Sequence, residues 1–319
     1  MSMLSHKDAI EQLEAMAADG SQLTEAPLSQ GRLALRRFRG RRSGMIGLTM
    51  VLLLVGVALA APLIAPHNPD EILREEGDVR FSGPCVHAFG CDSEKPQRIL
   101  GTDKNTRDQF SRLVYGSRVS LTLGLFTVTL ALVVGTSLGA IAGYTGGWLD
   151  NLIMRIMDVV LGFPSLLLAI AIVSVFGPGL RNALIAIAVV TIPAYARVMR
   201  AQVLSIKETD FVAAARALGA PPRQILLRRV VPNALTPLVV LATLGIATAI
   251  LEAAGLSFLG LGAQPPLAEW GSMLADHRNQ VFTSPHLVFF PGLAIMITVL
   301  GFNLMGDGLR DALDPTLNR

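Results

Sequence analysis

The amino-acid sequence predicts an all-α membrane protein with six transmembrane helices. Three observations lead there. Only 16% of the 319 residues are charged and 51% are hydrophobic, whereas a soluble domain carries about 25% charged residues. The apolar residues are clustered: Gly44 to Pro66 carries no charge, and none follows Val119 until Asp150. Runs of about 18 or more such residues read as membrane spans. Proline and glycine then punctuate the runs, as at Gly177-Pro178-Gly179, where a tight turn outside the membrane is expected.

The spans are expected at 44–65, 119–143, 157–177, 182–199, 233–251 and 287–306. Ahead of them, residues 1–43 form a polar, then basic, N-terminal segment. Its acidic start, with Asp8, Glu11, Glu14, Asp19 and Glu25, is unlike a secretory signal peptide. Ser5 and Asp8 suit a helix start, and a short helix or a disordered tail both fit. Pro164, Pro193 and Pro237 fall inside spans, where neighbouring helices satisfy the freed carbonyls. The fourth span is short, and Pro193 is expected to bend it.

Lys and Arg near the span ends set orientation. Arg32, Arg36, Arg37, Arg39, Arg41 and Arg42 crowd the first span, so the N-terminus is expected in the cytoplasm. Six spans return the tail, 307–319, to the same side. Between spans four and five lie Arg197, Arg200, Lys207, Arg216, Arg223, Arg228 and Arg229, again inside. The loop 66–118 falls outside. It holds eight Lys or Arg, but also nine Asp or Glu.

That loop ends in "TDKNTRDQFSRLVYGSR", where Phe110, Leu113 and Val114 share one helical face and Asp108 and Arg112 are spaced for an i,i+4 pair. An interfacial helix feeding the second span is expected. Cys85 and Cys91 sit in the same loop. An oxidising exterior lets them close a small disulfide, and two free thiols are the alternative. A metal site of Cys85, His87 and Cys91 has too few ligands at an unusual spacing.

A net charge of +3 and the absence of any recognisable motif argue against nucleic acid as a partner. No lysine follows a glycine, so the chain holds no phosphate-binding loop. No catalytic set, metal site or bound cofactor is expected.

The segment 200–231 is the feature that a simple set of spans does not need. "DFVAAARAL" reads as a small-residue helix, Gly219 as its left-handed stop, and Pro221-Pro222 as the start of a second helix, "RQILLRR". Pro232-Asn233 is expected to restart the chain into span five. The outcome is a helix-turn-helix presenting an apolar and basic knob. Binding of anionic headgroups would explain the arginines but not the spacing.

"AARALGAPPRQILLRRVVPN" resembles the cytoplasmic EAA loop, with its coupling helix, of ATP-binding-cassette importer permeases. Ala214, Ala215 and Gly219 match its signature. Ala213 stands where many members have glutamate, so that contact does not carry over. "LGTDKNTRDQFSRLVYGSRVSL", "AGYTGGWLDNLIMRIMD", "GLSFLGLGAQPPLAEWGSML" and "NLMGDGLRDALDP" extend the resemblance from about residue 31 onward. They are similar to the second permease subunit of dipeptide and oligopeptide importers, whose motifs nickel and glutathione importers share.

The resemblance implies an extra N-terminal span before a five-span type I importer core, spanning 119–306, in a bacterial inner membrane. It implies a sister permease, two ATPase subunits holding ATP and Mg2+, and an extracytoplasmic binding protein. ATPase coupling would fall to Ala214, Ala215, Gly219, Ala220, Pro221, Arg223, Gln224, Ile225 and Arg228. Outside, Asp103, Arg107 and Asp108 are expected to meet the binding protein, to seal the entrance, or only to stabilise their own helix. Trp270 belongs either to a re-entrant gate or to an ordinary interface anchor. Two readings from other classes remain. An ion-coupled secondary transporter predicts internal repeats and midplane charges, and no convincing repeat is present. A membrane-anchored scaffold predicts a soluble domain, and no segment beyond the outer loop is long enough.

Overall fold

A computed structural model describes residues 30–73, 79–92 and 95–313; the helix considered for residues 5–20 lies outside them. Among the described residues there is no strand, only isolated bridges between Cys85 and Arg98 and between Thr102 and Asp108. Eleven helices organise the described residues: α1 (Gln30–Gly40), α2 (Arg42–Leu59), α3 (Gln109–Thr145), α4 (Gly147–Leu161), α5 (Ser165–Phe176), α6 (Leu180–Ile206), α7 (Asp210–Ala217), α8 (Pro222–Ile225), α9 (Val231–Phe258), α10 (Trp270–His277) and α11 (His286–Leu313). A single turn, Ala61–Ile64, extends α2.

Five of these are long and apolar enough to cross a membrane, and the pair α4–α5 makes six if counted as one bent span. Over the expected span 157–177 the helix is broken in two. The two pieces meet at 92°. Pro164 cannot donate to the ladder and disfavours helical backbone at Phe163, so the helix stops at Gly162 and restarts at Ser165. α5 alone has 12 residues, about 18 Å, too short to cross.

Other boundaries move outward. The interfacial helix and the second span are one helix, α3, of 37 residues. The fourth span is not short: α6 runs for 27 residues and passes through Pro193. The sixth continues to Leu313, so "GDGLRDAL" belongs to it.

Small residues hold the helices together, as expected where the hydrophobic effect does not drive helix pairing. Gly135, Gly139 and Gly143 recur every four residues along α3 and face α6. A Cβ on Gly135 would come within 2.7 Å of the Ile192 carbonyl, and one on Gly143 within 2.9 Å of the Arg200 carbonyl. Backbones therefore touch. Gly44 of α2 and Gly308 of α11 do the same: a Cβ on Gly44 would stand 2.9 Å from the Gly308 Cα. The main apolar core gathers α3, α5, α6 and α9, with Ile187, Met199, Val203, Leu238 and Leu256 fully enclosed.

Candidate functional site

The knob is built from its own turn chemistry. α7 ends at Leu218, and Gly219 follows at φ +79°. The Gly219 N–H donates to the Arg216 carbonyl (3.0 Å) and the Ala220 N–H to the Ala215 carbonyl (3.1 Å). That pair of bonds closes a helix through a left-handed residue and satisfies its last carbonyls. Pro221 is extended, and Pro222 opens α8 where its missing N–H costs nothing. The Pro221 carbonyl accepts from Gln224 and Ile225 (2.9 and 3.1 Å).

The expected break at Pro232-Asn233 does not occur. α8 passes through a π turn, Leu226–Val230, straight into α9. Pro232 lacks the N–H that would bond Arg228, and a widened turn accommodates the ring. The Asn233 side-chain amide donates to the Arg229 carbonyl in the widened turn (2.6 Å). The knob's second helix is thus the first turns of span five.

Two faces follow. Val212, Ile225 and Val230 are buried in the main core, with Ala215, Ala220 and Leu226 packed against it. Ala214, Gly219, Pro221, Arg223, Gln224 and Arg228 are exposed, and Leu218 is 88% exposed at the tip. Hollows of about 360 and 110 Å³ flank Gln224, lined respectively by Pro221, Arg223 and Arg228 and by Ala215, Leu218 and Arg229. Among the described residues no acid pairs with Arg216, Arg223, Arg228 or Arg229. The outward face is an apolar tip ringed by unspent positive charge.

Above the knob, two of the arginines counted as loop cations are spent internally. Arg200 grips Asp150 of α4 with two bonds (2.6 and 2.7 Å), and Arg197 meets Asp158 (2.5 Å). Lys207 donates to the Gly143 carbonyl (3.1 Å). These ties bind α4 and α3 to the end of α6 that carries the knob.

The opposite end is closed by a polar layer. Asp103 is fully buried and accepts from the N–H groups of Asn105 (2.8 Å) and Arg107 (2.9 Å) and from Arg107 Nε (2.7 Å). Asp108 caps α3, accepting from the Ser111 N–H and hydroxyl (2.7 and 2.6 Å). The expected Asp108–Arg112 pair is therefore absent. Arg112 turns to Asp103 (3.6 Å), Asp70 (3.5 Å) and the Pro69 carbonyl (2.9 Å). Trp270 is buried, its Nε1 donating to the Leu113 carbonyl (3.0 Å). Asp103, Arg107, Asp108 and Trp270 are all buried in this layer. Cys85 and Cys91 are joined by a disulfide, their Cα atoms 5.4 Å apart.

Residues 135–319 match the family model described as binding-protein-dependent transport system inner membrane component, and residues 29–84 match the N-terminal transmembrane domain of oligopeptide transport permease C. The chain belongs to this permease family. It is 47% identical to a dipeptide transport system permease protein DppC of Alkalihalophilus pseudofirmus over 91% of each chain. It is 45% identical to a di/tripeptide transport system permease protein DppC of Pseudomonas aeruginosa, covering 95% of this chain and 97% of that one. It is 47% identical to a glutathione transport system permease protein GsiD of Escherichia coli over 88% and 89%. A solved structure of the MetNI methionine ABC transporter superposes with a TM-score of 0.53 at 22% identity, over 64% of this chain and 96% of that one, and shows the shared fold. The permease is accordingly a multi-pass inner membrane protein.

The permease also uses residues that pattern reading passed over. Glu269 is buried and caps α10, accepting from the N–H groups of Gly271 and Ser272 (both 2.9 Å) and from the Ser120 hydroxyl (3.3 Å). Burial pushes its pKa up, against these donors. His277 is buried with Nδ1 on the Met273 carbonyl (2.8 Å), and burial holds its pKa below the ordinary value. A single Glu before "WGSM" is an N-cap signal in retrospect. The burial of His277 had none.

Proposed function

We propose that this permease is one membrane half of an ATP-driven, binding-protein-dependent importer of di- or oligopeptides. The knob carries this reading. It presents an apolar tip and free arginines on helices continuous with, or packed on, the spans. A socket in an ATPase subunit would move spans five and four together. The exposed apolar walls of α4, α5 and α9 suit a sister permease. ATP and Mg2+ belong to the partner ATPase pair, and no cofactor is assigned to this chain. The knob end and both termini would face the cytoplasm, and the 66–108 loop the exterior, where a binding protein delivers cargo.

Selection would rest mostly with that binding protein, because spans rich in Ala, Gly, Leu, Ile and Val offer few groups to clamp a peptide. The relatives named for dipeptides and for glutathione favour short peptides as cargo. The test is uptake into proteoliposomes holding both permeases. It should require the ATPase subunits and a loaded binding protein, with dipeptide and glutathione compared directly. Uptake driven by an ion gradient alone would overturn the reading, as would submicromolar, side-chain-selective binding to the permeases without the binding protein.

A further inference from the structure

Glu252 is the only ionisable residue between Arg229 and Glu269. It lies in α9, roughly 9 Å before that helix ends. The two acids of the broken span beside it are matched by arginine: Asp150 by Arg200 and Asp158 by Arg197. Glu252 has no cation. It accepts one hydrogen bond, from the Ser165 hydroxyl (2.8 Å), and no other bond reaches its carboxylate among the described residues. An acid inside a membrane segment is costly unless it faces water or a positive partner.

Its surroundings decide between those. Ser165 is the first residue of α5, directly after the 92° corner of the broken span. Non-helical backbone at membrane depth is tolerated where it lines a cavity or is buried in protein. This corner is not buried in its own chain. Phe163 and Ser165 are exposed, as are Val159, Leu167 and Leu251. Thr248, one turn before Glu252 on the same side of α9, is exposed as well. A carboxylate and two hydroxyls thus converge on an open, otherwise apolar corner. A mostly apolar wall with a few convergent polar groups is the pattern of a small-molecule site.

We infer that Glu252, held by Ser165 at this corner, is a transit site for the positively charged amino terminus of the cargo. The inference deepens the peptide reading and rests on it. The carboxylate supplies the missing counter-charge to an ammonium group. The hydroxyl of Ser165 keeps one oxygen oriented and leaves the other for the cargo. Because every unmodified peptide carries that ammonium, the contact is blind to side chains. With one charged partner, it stays weak enough to release.

The test uses the assembled transporter, both permeases with both ATPase subunits, in lipid nanodiscs without binding protein. Saturation-transfer NMR compares Ala-Ala with N-acetyl-Ala-Ala, in which a neutral acetamide replaces the ammonium. The wild type should bind the free dipeptide at about millimolar concentration and the acetylated one roughly tenfold more weakly. Glu252→Gln should abolish the difference, and Glu252→Asp should retain part of it. A carboxylate that merely braces α5 would leave the discrimination unchanged in Glu252→Gln, and this overturns the inference. Equal binding of the two peptides by the wild type overturns it too, as does no binding up to about 10 mM. Uptake by the complete system, assayed in parallel with binding protein, reports on the peptide reading separately. If the wild type imports no peptide, that reading fails. If it imports peptide without amine discrimination at the corner, only the inference fails.

Discussion

Gly219 decides the shape of the knob through its backbone alone. A Cβ there meets nothing within 4 Å, but the residue sits at φ +79°. The cost of a side chain is therefore the left-handed conformation itself, roughly 1–2 kcal/mol and worst for a β-branched residue. Gly219→Val should still insert and assemble, while uptake per ATP hydrolysed falls sharply. Gly219→Asn, which tolerates this region, should stay near wild type. Proteoliposome uptake and phosphate release, measured together, read both. A second residue-scale outcome concerns His277. Its depressed pKa means that the unfolded chain binds the proton more readily than the fold does. The polar layer is then stable above the ordinary histidine value, about 6.5. It loses stability as pH falls below that value, and the loss is complete below the lower folded pKa. Hydrogen-exchange protection in residues 95–108, taken relative to the intrinsic exchange rate at each pH, should fall as pH drops from about 7.5 to about 5, and His277→Gln should flatten that dependence. Asp103, Asp276 and Lys104 face the ring and do not reverse the sign, because desolvation is the largest contribution.

At the scale of elements, the informative case is the broken span. Hydropathy over 157–177 is continuous, so composition alone reads one helix; the bend lies in the geometry of Phe163-Pro164. The first turns of α3 were legible as an interfacial helix from the face shared by Phe110, Leu113 and Val114. The burial of Arg107, Asp108 and Arg112 was not, because charged side chains at such a place read as solvated. α4 is tied to α6 by two ion pairs, Asp150–Arg200 and Asp158–Arg197, beside its buried Ile153 and Met157. Its bidentate Asp150–Arg200 pair is half-sheltered, and hydrogen bonds to charged groups contribute about 1.5–3 kcal/mol. Asp150→Asn and Arg200→Ala should each lower thermal stability by that order. The double variant should lose less than the sum of the two, which a double-mutant cycle measures directly. Arg200→Lys should not restore the pair, since lysine cannot make the planar two-bond contact.

For the whole molecule, span number, family and the knob were legible in apolar runs and a twenty-residue motif. The packing was not. Gly135, Gly139 and Gly143 look ordinary in a sequence with 30 glycines. Only the facing helix shows that each admits a backbone. A Cβ on Gly139 would fall 2.9 Å from the Met199 Cβ. Gly139→Val should therefore push α3 off α6 and cost roughly 1–3 kcal/mol of fold stability. Gly292→Ala in α11, where a Cβ meets nothing, should be neutral or mildly stabilising. Thermal denaturation in detergent separates the two. The placement of Asp103, Asp108 and Trp270 was equally hidden, because an exposed contact and an interior brace use the same residue types.

The uninterrupted path from Pro222 to Phe258 has a mechanical meaning. Thirty-seven residues of near-continuous helix make a lever arm about 55 Å long. A tilt of about 5° imposed at the knob swings the far tip by about 5 Å over such a length. Little force needs to travel through side chains, since the backbone ladder carries it. Two prolines each withhold a rung of that arm, Pro232 at the widened turn Leu226–Val230 and Pro237 further along. A push at the knob would arrive beyond them as motion in so far as those two places resist bending.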